Sequence, residues 1–306
     1  MERQLTIKAF GKVAVLMGGT SNERNISLES GKAVLKALHR SSIDASAIDP
    51  KIDGLEKLKN FDRAFICLHG QDGEDGKIQT FLESINIPYT GSGILSSSLG
   101  MDKFKCKKIW KSKKIQTPDF MKIDDSNQFE KASNLCGLPF FIKPSNSGSS
   151  IGIAKVSNKK EFIPAFENAY EIDKTVIAES FIIGREYTLP IIKNKPLPII
   201  EIRVKTDFYD FEAKYLRDDT EFICPADISS ILVENINTEC TQSFNAIGCD
   251  GWGRVDFIVD QKNIIHIIEI NTVPGLTNHS LVPMSARNIG IEFDQLVVMI
   301  LETSNV

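Results

Sequence analysis

The stretch from Gly251 to Pro283, GWGRVDFIVDQKNIIHIIEINTVPGLTNHSLVP, constrains the fold more than any other part of the chain. Two apolar runs, Val255–Val259 and Ile264–Ile270, flank the polar Asp260-Gln261-Lys262-Asn263, the pattern of two antiparallel strands joined by a short loop. Side chains alternate between the two faces of a strand, so the register decides which of them meet. Pairing Asp260 with Asn263, or Val259 with Ile264, puts Arg254 opposite Glu269 and Asp256 diagonal to it, at a Cβ separation of roughly 7–8 Å. A three-residue loop would flip one strand and break the constellation. In the intact register Asp256, Glu269 and Asn271 form an all-oxygen ligand set of the kind that suits Mg2+. The competing reading is a row of solvated strand charges paired with Arg254 and nearby lysines. Their setting among Val, Ile and Phe speaks against it, because a half-buried charge needs a partner.

The rest of the chain bounds the possibilities. Its 306 residues are enough for two or three domains, and 42% hydrophobic with 25% charged residues is the balance of a globular protein. A net charge of −4 and a pI near 5.7 argue against nucleic-acid or anionic-membrane partners. No apolar run is long enough to span a bilayer, and the first residues lack the pattern of a signal peptide, so a cytoplasmic protein is expected. Six cysteines without CxxC spacing are expected to be mostly buried thiols, with neither a zinc site nor a cysteine nucleophile among them.

Strand and helix patterns alternate over the first hundred residues. Val13–Met17 and Ala64–Leu68 read as buried strands and Ser27–His39 as a helix, which implies a parallel sheet with crossover helices. Ligands of such sheets gather beyond the carboxyl ends of the strands. Gly18-Gly19-Thr20-Ser21-Asn22-Glu23 and His69-Gly70 lie there, followed by a glycine-acidic turn over Gln71–Gly76. Met101–Lys113 is lysine-rich and reads as a largely solvated helix face. Phe120–Ile123 and Pro139–Lys143 read as strands, the second leading into Lys143-Pro144-Ser145-Asn146-Ser147-Gly148-Ser149-Ser150, a strand-end lysine before a loop small enough for backbone N–H groups to approach phosphate. It is not a Walker loop, because the lysine precedes the glycine. Glu179–Glu186 has the look of a hinge, Thr206–Pro225 that of a lid, and helices are expected over Ile228–Ile247 and Phe293–Leu301.

GGTSNERNIS, HGQDGEDG, PYTGSG, MDK, IKPSNSGSS, FYDFEAKY, GWGRVDF and EINTVPGLTNHSLVP occur in an order and at spacings that resemble the D-alanine:D-alanine ligases of the ATP-grasp superfamily, over essentially the whole chain. The resemblance implies an α/β (α+β overall) three-domain ATP-grasp fold with an open parallel-sheet N-terminal domain over residues 1–100, a central subdomain over 101–183, and a C-terminal subdomain over 184–306 that holds the metal site and lid. It further implies ATP-dependent joining of two D-alanines through an acyl phosphate for cell-wall peptidoglycan synthesis, by a cytoplasmic homodimer. Asp256, Glu269 and Asn271 would hold two Mg2+ or Mn2+ ions. Lys103, Lys143 and Lys214 would contact ATP phosphates, while Glu179, Phe181, Ile182 and Glu186 frame adenine and ribose with Phe208 and Ile268 nearby. Arg254 and the Gly275 N–H would meet the developing oxyanion. Glu23 would anchor the first D-alanine beside His69, and Ser280 with Leu281 would receive the second. Glu23, Ser149 and Tyr215 would tie the first domain, the glycine-serine loop and the lid together.

Two departures accompany the resemblance. Relatives often carry Lys-Trp where this chain has Ser180-Phe181, and Arg-Glu-Gly-Ser-Ser where it has Asn146–Ser150. Both are expected to alter ATP affinity rather than remove activity. D-lactate or D-serine remains open as an alternative acceptor, as do another ATP-grasp carboxylate-amine ligase and a nucleotide-binding regulator without catalysis.

Overall fold

Val13–Leu16 (β1) is buried along its whole length and pairs in parallel with Ala45–Ile48 (β2) on one side and Arg63–Ile66 (β3) on the other. In the computed structural model, which describes residues 10–148, 151–204, 220–277 and 279–304, this three-stranded sheet opens the chain. β1 ends in Gly18 and Gly19, whose φ angles of 84° and 75° suit glycine, and the chain turns there into the helix Arg24–Arg40. Arg24 bridges to Asp49 at 2.6 Å beyond β2, and the Gly18 N–H donates to Ser27 Oγ at 2.8 Å. These bonds fix the loop that leads to Glu23.

A second, antiparallel sheet is ordered β4-β7-β5-β6, from Phe120–Ile123 (β4), Val176–Ser180 (β7), Phe140–Pro144 (β5) and Ala154–Val156 (β6). Helices Phe129–Cys136 and Lys159–Ile172 cover it, and Phe129, Phe140 and Phe162 meet in the core between them. The third sheet is also antiparallel. Its strands are Gly184–Ile192 (β8), Lys195–Pro196 (β9), Ile200–Arg203 (β10), Glu221–Ile223 (β11), Trp252–Asp260 (β12) and Ile265–Asn271 (β13), in the order β11-β10-β8-β12-β13 with β9 beside β8. One face buries Tyr187, Leu189, Val255, Phe257, Ile267 and Ile270 against the helices Ser230–Ala246 and Lys103–Ser112. The other face carries Thr188, Arg254 and Asp256. The last two helices, Leu281–Asn288 and Phe293–Leu301, return to pack on the core of the first sheet.

The hairpin forms, but in a different register from the one expected. Val259 pairs with Ile265 rather than Ile264, so the chain reverses through the five residues Asp260–Ile264, and Asp260 Oδ1 accepts the N–H groups of Lys262 and Ile264. That one-residue slip would by itself move Glu269 to the core face. A bulge corrects it: Phe257 pairs with Ile267 and Asp256 with Glu269, so Ile268 is the extra residue. Asp256 therefore lies directly opposite Glu269, not diagonal to it, and Arg254 lies opposite Asn271, not Glu269. The four polar residues still share one face.

The lysine-rich helix also departs from expectation. Lys107 has no exposed surface and Lys103 is 8% exposed, so both belong to the interior while Lys105 and Lys111 face solvent. Five of the six cysteines are buried and all six are free thiols, as their scatter suggests.

Candidate active site

Three surfaces converge on the ligand face of the third sheet. The first is the sheet itself, where strand alternation presents Arg254 and Asp256 on β12, Glu186 and Thr188 on β8, and Glu269 and Asn271 on β13. Arg254 forks onto Asp256, with Nε to Oδ1 at 2.8 Å and Nη2 to Oδ2 at 2.6 Å, and Thr188 Oγ1 donates to the same carboxylate at 2.5 Å. Across the strands, Lys103 Nζ stands 3.2 Å from Glu269 Oε2. Cations thus flank both facing carboxylates, and a carboxylate pair with an amide oxygen is a donor set that fits Mg2+ or Mn2+. Among the described residues there is no cluster of three or more acidic, histidine or cysteine ligands. The third donor expected here is Asn271, which lies outside those residue types.

The second surface is the four-stranded sheet and its glycine-serine loop. Ser145 Oγ donates to Asp102 Oδ1 at 2.8 Å, the Lys103 N–H donates to Ser145 O, and Lys103 Nζ donates to Ser147 O at 2.7 Å. The start of the helix Lys103–Ser112 thereby holds the loop, and one lysine touches both loop and hairpin. At the end of β5, Lys143 Nζ is 2.5 Å from Glu179 Oε1, and Lys107 Nζ approaches Glu179 Oε2 at 2.6 Å. Burial raises the Glu179 pKa, but the two lysines outweigh it and hold the carboxyl below its ordinary value. Beyond it Phe181 packs edge-on against Phe141 at 5.5 Å, with Lys155 Nζ 4.4 Å above its ring. This pairing lies at the expected hinge, where the sequence has Ser180-Phe181.

The third surface comes from the first sheet. Glu23 precedes the helix Arg24–Arg40, and its Oε1 lies so close to Gly70 and Gly148 that a β-carbon there would stand 3.4 and 2.8 Å away. The loops at the end of the first sheet and the glycine-serine loop meet at that carboxylate. His69 is buried, with Nε2 3.3 Å from Ser30 Oγ, which in turn accepts the Leu276 N–H at 3.2 Å. Burial pushes the His69 pKa down to about 4, so the ring is neutral near pH 7. Ser280 Oγ accepts the Thr277 N–H at 2.9 Å and would lie 3.1 Å from a β-carbon on Gly275, and Leu281 opens the following helix.

Reading the residues alone missed Glu74 and Lys107. Glu74 Oε2 accepts the Gly70 N–H at 2.7 Å and its Oε1 the Val273 N–H at 3.3 Å, joining the two chain segments on either side of the site. Burial first, and Glu23 second, raise its pKa to about 8. The signal for Glu74 was its place in a glycine-rich turn at a strand end; for Lys107 it was the spacing 103-107-110, one stripe of a helix. Ser149, Phe208, Lys214 and Tyr215 lie outside the described residues.

Comparison with known proteins agrees with this geometry. Family models described as the D-ala D-ala ligase C-terminus and N-terminus match residues 109–302 and 44–92. The chain belongs to the D-alanine–D-alanine ligase family. D-alanine–D-alanine ligases of Nitrosomonas eutropha and Dechloromonas aromatica are 48% and 47% identical to it, covering 98% and 97% of this chain and 99% and 98% of theirs. Among solved structures, the Bacillus anthracis D-alanine–D-alanine ligase complexed with ATP superposes with a TM-score of 0.84 at 34% identity, covering 96% of this chain and 97% of its own. A D-Ala:D-Ser ligase, VanG of Enterococcus faecalis, gives a TM-score of 0.84 at 29% identity over 96% of this chain and 99% of its own. The ATP-grasp architecture and ligase family expected from the motifs thus agree with both kinds of comparison. No described helix is long and apolar enough to cross a membrane.

Proposed function

We propose that this chain joins two D-alanine molecules to D-alanyl-D-alanine at the expense of ATP, through an acyl phosphate and with release of ADP and phosphate, for peptidoglycan synthesis. The observation that supports this most directly is the convergence of Arg254, Asp256, Glu269 and Asn271 on one sheet face with Lys143 and Glu179 on the facing sheet, Lys103 at the start of the helix between them and Glu23 at the third side. Phosphoryl transfer is mostly positioning and charge neutralisation, and the arrangement supplies both.

In this reading the nucleotide lies between the second and third sheets, with its base beside Glu179, Phe181, Ile182 and Ile268, its ribose near Glu186, and its phosphates at Lys103 and Lys143. Asp256, Glu269 and Asn271 would hold Mg2+ or Mn2+, which neutralises charge on the phosphates when bound. Glu23 receives the ammonium of the first D-alanine, and the neutral His69 adds no competing cation to that subsite. Ser280 and Leu281 receive the second D-alanine. Its amine attacks the acyl phosphate carbon, charge gathers on the carbonyl oxygen, and Arg254 with the Gly275 N–H faces that oxygen. The fork onto Asp256 uses two of the five guanidinium N–H groups, so the cation is aimed before the substrate arrives.

Three units, residues 1–100, 101–183 and 184–306, would enclose this site; three separate sheets and cores support the division, with the last two helices leaning on the first. We place the enzyme in the cytoplasm as a homodimer, the free thiols being those of a reducing compartment. The deciding experiment measures phosphate release with D-alanine alone, then with D-lactate or D-serine added, and reads product masses. D-alanine-dependent release with the dipeptide mass is expected. No such release would overturn the reading, and a D-alanyl-D-serine product would reassign the acceptor.

A further inference from the structure

Lys107 is the most deeply buried cation near the site and has no role in the reaction as described so far. Its ammonium sits between Glu179 Oε2 at 2.6 Å and Thr117 Oγ1 at 2.7 Å, and Thr117 Oγ1 donates onward to the Ile267 carbonyl at 2.8 Å. The Ile267 N–H donates to Gln116 O at 2.9 Å, so the segment before β4 grips β13 at the residue where the bulge begins. A continuous chain of polar contacts therefore runs from the third sheet, through Lys107, to the hinge carboxylate of the second. A buried ion pair of this kind is no stabiliser compared with well-packed apolar side chains, and its presence calls for a reason other than stability.

We infer that Lys107 is a positioning residue of the nucleotide site, the permanent counter-ion that keeps Glu179 ionised and oriented as a hydrogen-bond acceptor for the exocyclic amine of adenine. The inference rests on the reading of Glu179 as the adenine contact. Glu179 has two cations, and they are not equivalent. Lys143 lies at the strand end beside the glycine-serine loop and is the one placed to turn toward a phosphate; Lys107, wholly buried, cannot follow. When Lys143 engages ATP, Lys107 alone remains to balance the carboxylate. Without it, burial would favour the protonated acid, which presents a donor where adenine presents one too. An ionised, fixed Glu179 also repels a purine with a carbonyl in place of the amine. Lys107 thus sets nucleobase choice as well as affinity, without touching the nucleotide.

The test is a double-mutant cycle of Lys107→Met and Glu179→Gln, with KM for ATP, KM for D-alanine, kcat and the ATP-over-GTP preference measured for each protein. Lys107→Met is expected to raise KM for ATP about tenfold and to lower the preference for ATP over GTP by a similar factor, with less than about a twofold change in kcat and KM for D-alanine. In the Glu179→Gln background the same change adds less than about twofold, because its effect passes through that carboxylate. An unchanged KM for ATP in Lys107→Met, or an equal rise in both backgrounds, overturns the inference. Should the single variant not fold, the double variant, which removes the Lys107 and Glu179 charges together, is compared with Glu179→Gln alone, Lys143 losing its carboxylate partner equally in both, and a further rise in KM for ATP overturns it. A wild-type KM for ATP in Glu179→Gln shows instead that the adenine reading of Glu179 is wrong, and the role given to Lys107 falls with it.

Discussion

Two buried groups on the first-sheet side of the site are shifted in opposite directions. His69, with its pKa near 4, binds no proton in the folded chain between about pH 4 and 6.5, whereas the unfolded chain does. Stability from this residue is therefore complete above pH 6.5 and is lost as pH falls toward 4. Glu74, at about 8, keeps a proton in the folded chain that the unfolded chain has released above pH 4.5, so its contribution is complete at low pH and is lost as pH rises to 8. Urea unfolding of the ligand-free protein should show the difference. Glu74→Gln is expected to gain on the order of 1 kcal/mol over wild type between pH 5 and 8, and a constant difference across that range would show that Glu74 is not protonated. The proposed function assigns Glu269 to the chemistry rather than to stability. Glu269→Ala should lower turnover by about 10²–10³-fold, since it removes a carboxylate proposed to hold the metal and takes from Lys103 its ion-pair partner on the hairpin; turnover near wild type would refute the metal assignment.

The bulge in β13 is what makes the hairpin a site. Ile268 and Glu269 share one cross-strand partner, Asp256, so a residue proposed to line adenine and a residue proposed to hold metal are adjacent in sequence and serve the same face. Deleting Ile268 would join two stretches that already pair correctly, leaving a regular ladder with Glu269 still opposite Asp256. The variant is therefore expected to fold and to keep its affinity for Mn2+ within about threefold, while KM for ATP rises about tenfold from loss of the apolar wall and local twist. Loss of Mn2+ binding together with ATP binding would show that the bulge positions the carboxylate too. Nothing in the run of isoleucines from Ile264 to Ile270 marks which one is extra, because a bulge is set by what grips the strand, here the Gln116 and Thr117 contacts to Ile267. Alternation did place Arg254, Asp256, Glu269 and Asn271 on one face, since the slip at the loop and the bulge cancel. The glycine turn at Gly18, the parallel first sheet and the helix Phe293–Leu301 were legible for the same reason: short-range periodicity determines them. Glu74 and Lys107 were not, because their importance comes from partners far away in sequence, Val273 and Glu179.

At the scale of the molecule, the strands of the third sheet pass from one core into another. Trp252 and Ile192 pack in the core of the first sheet, while Val255 and Leu189, three residues along the same paired strands, pack in the core under Ser230–Ala246. The chain end ties the same two regions: Leu296, Val297 and Ile300 fill the first core, Arg40 pairs with Asp294 at 2.6 Å, and Lys193 pairs with Glu302 at 2.7 Å. A strand that is rigid across both cores cannot release one and keep the other, so the two should unfold together. The two tryptophans of the sequence report them separately, Trp252 in the first core and Trp110 in the second. Leu296, fully buried, belongs to the first core. In single-tryptophan proteins, Leu296→Ala is expected to destabilise by about 2–5 kcal/mol and to shift both fluorescence transitions equally in urea. A shift confined to the Trp252 reporter would show that the first core opens independently, and that the coupling through β8 and β12 is weaker than their shared register implies.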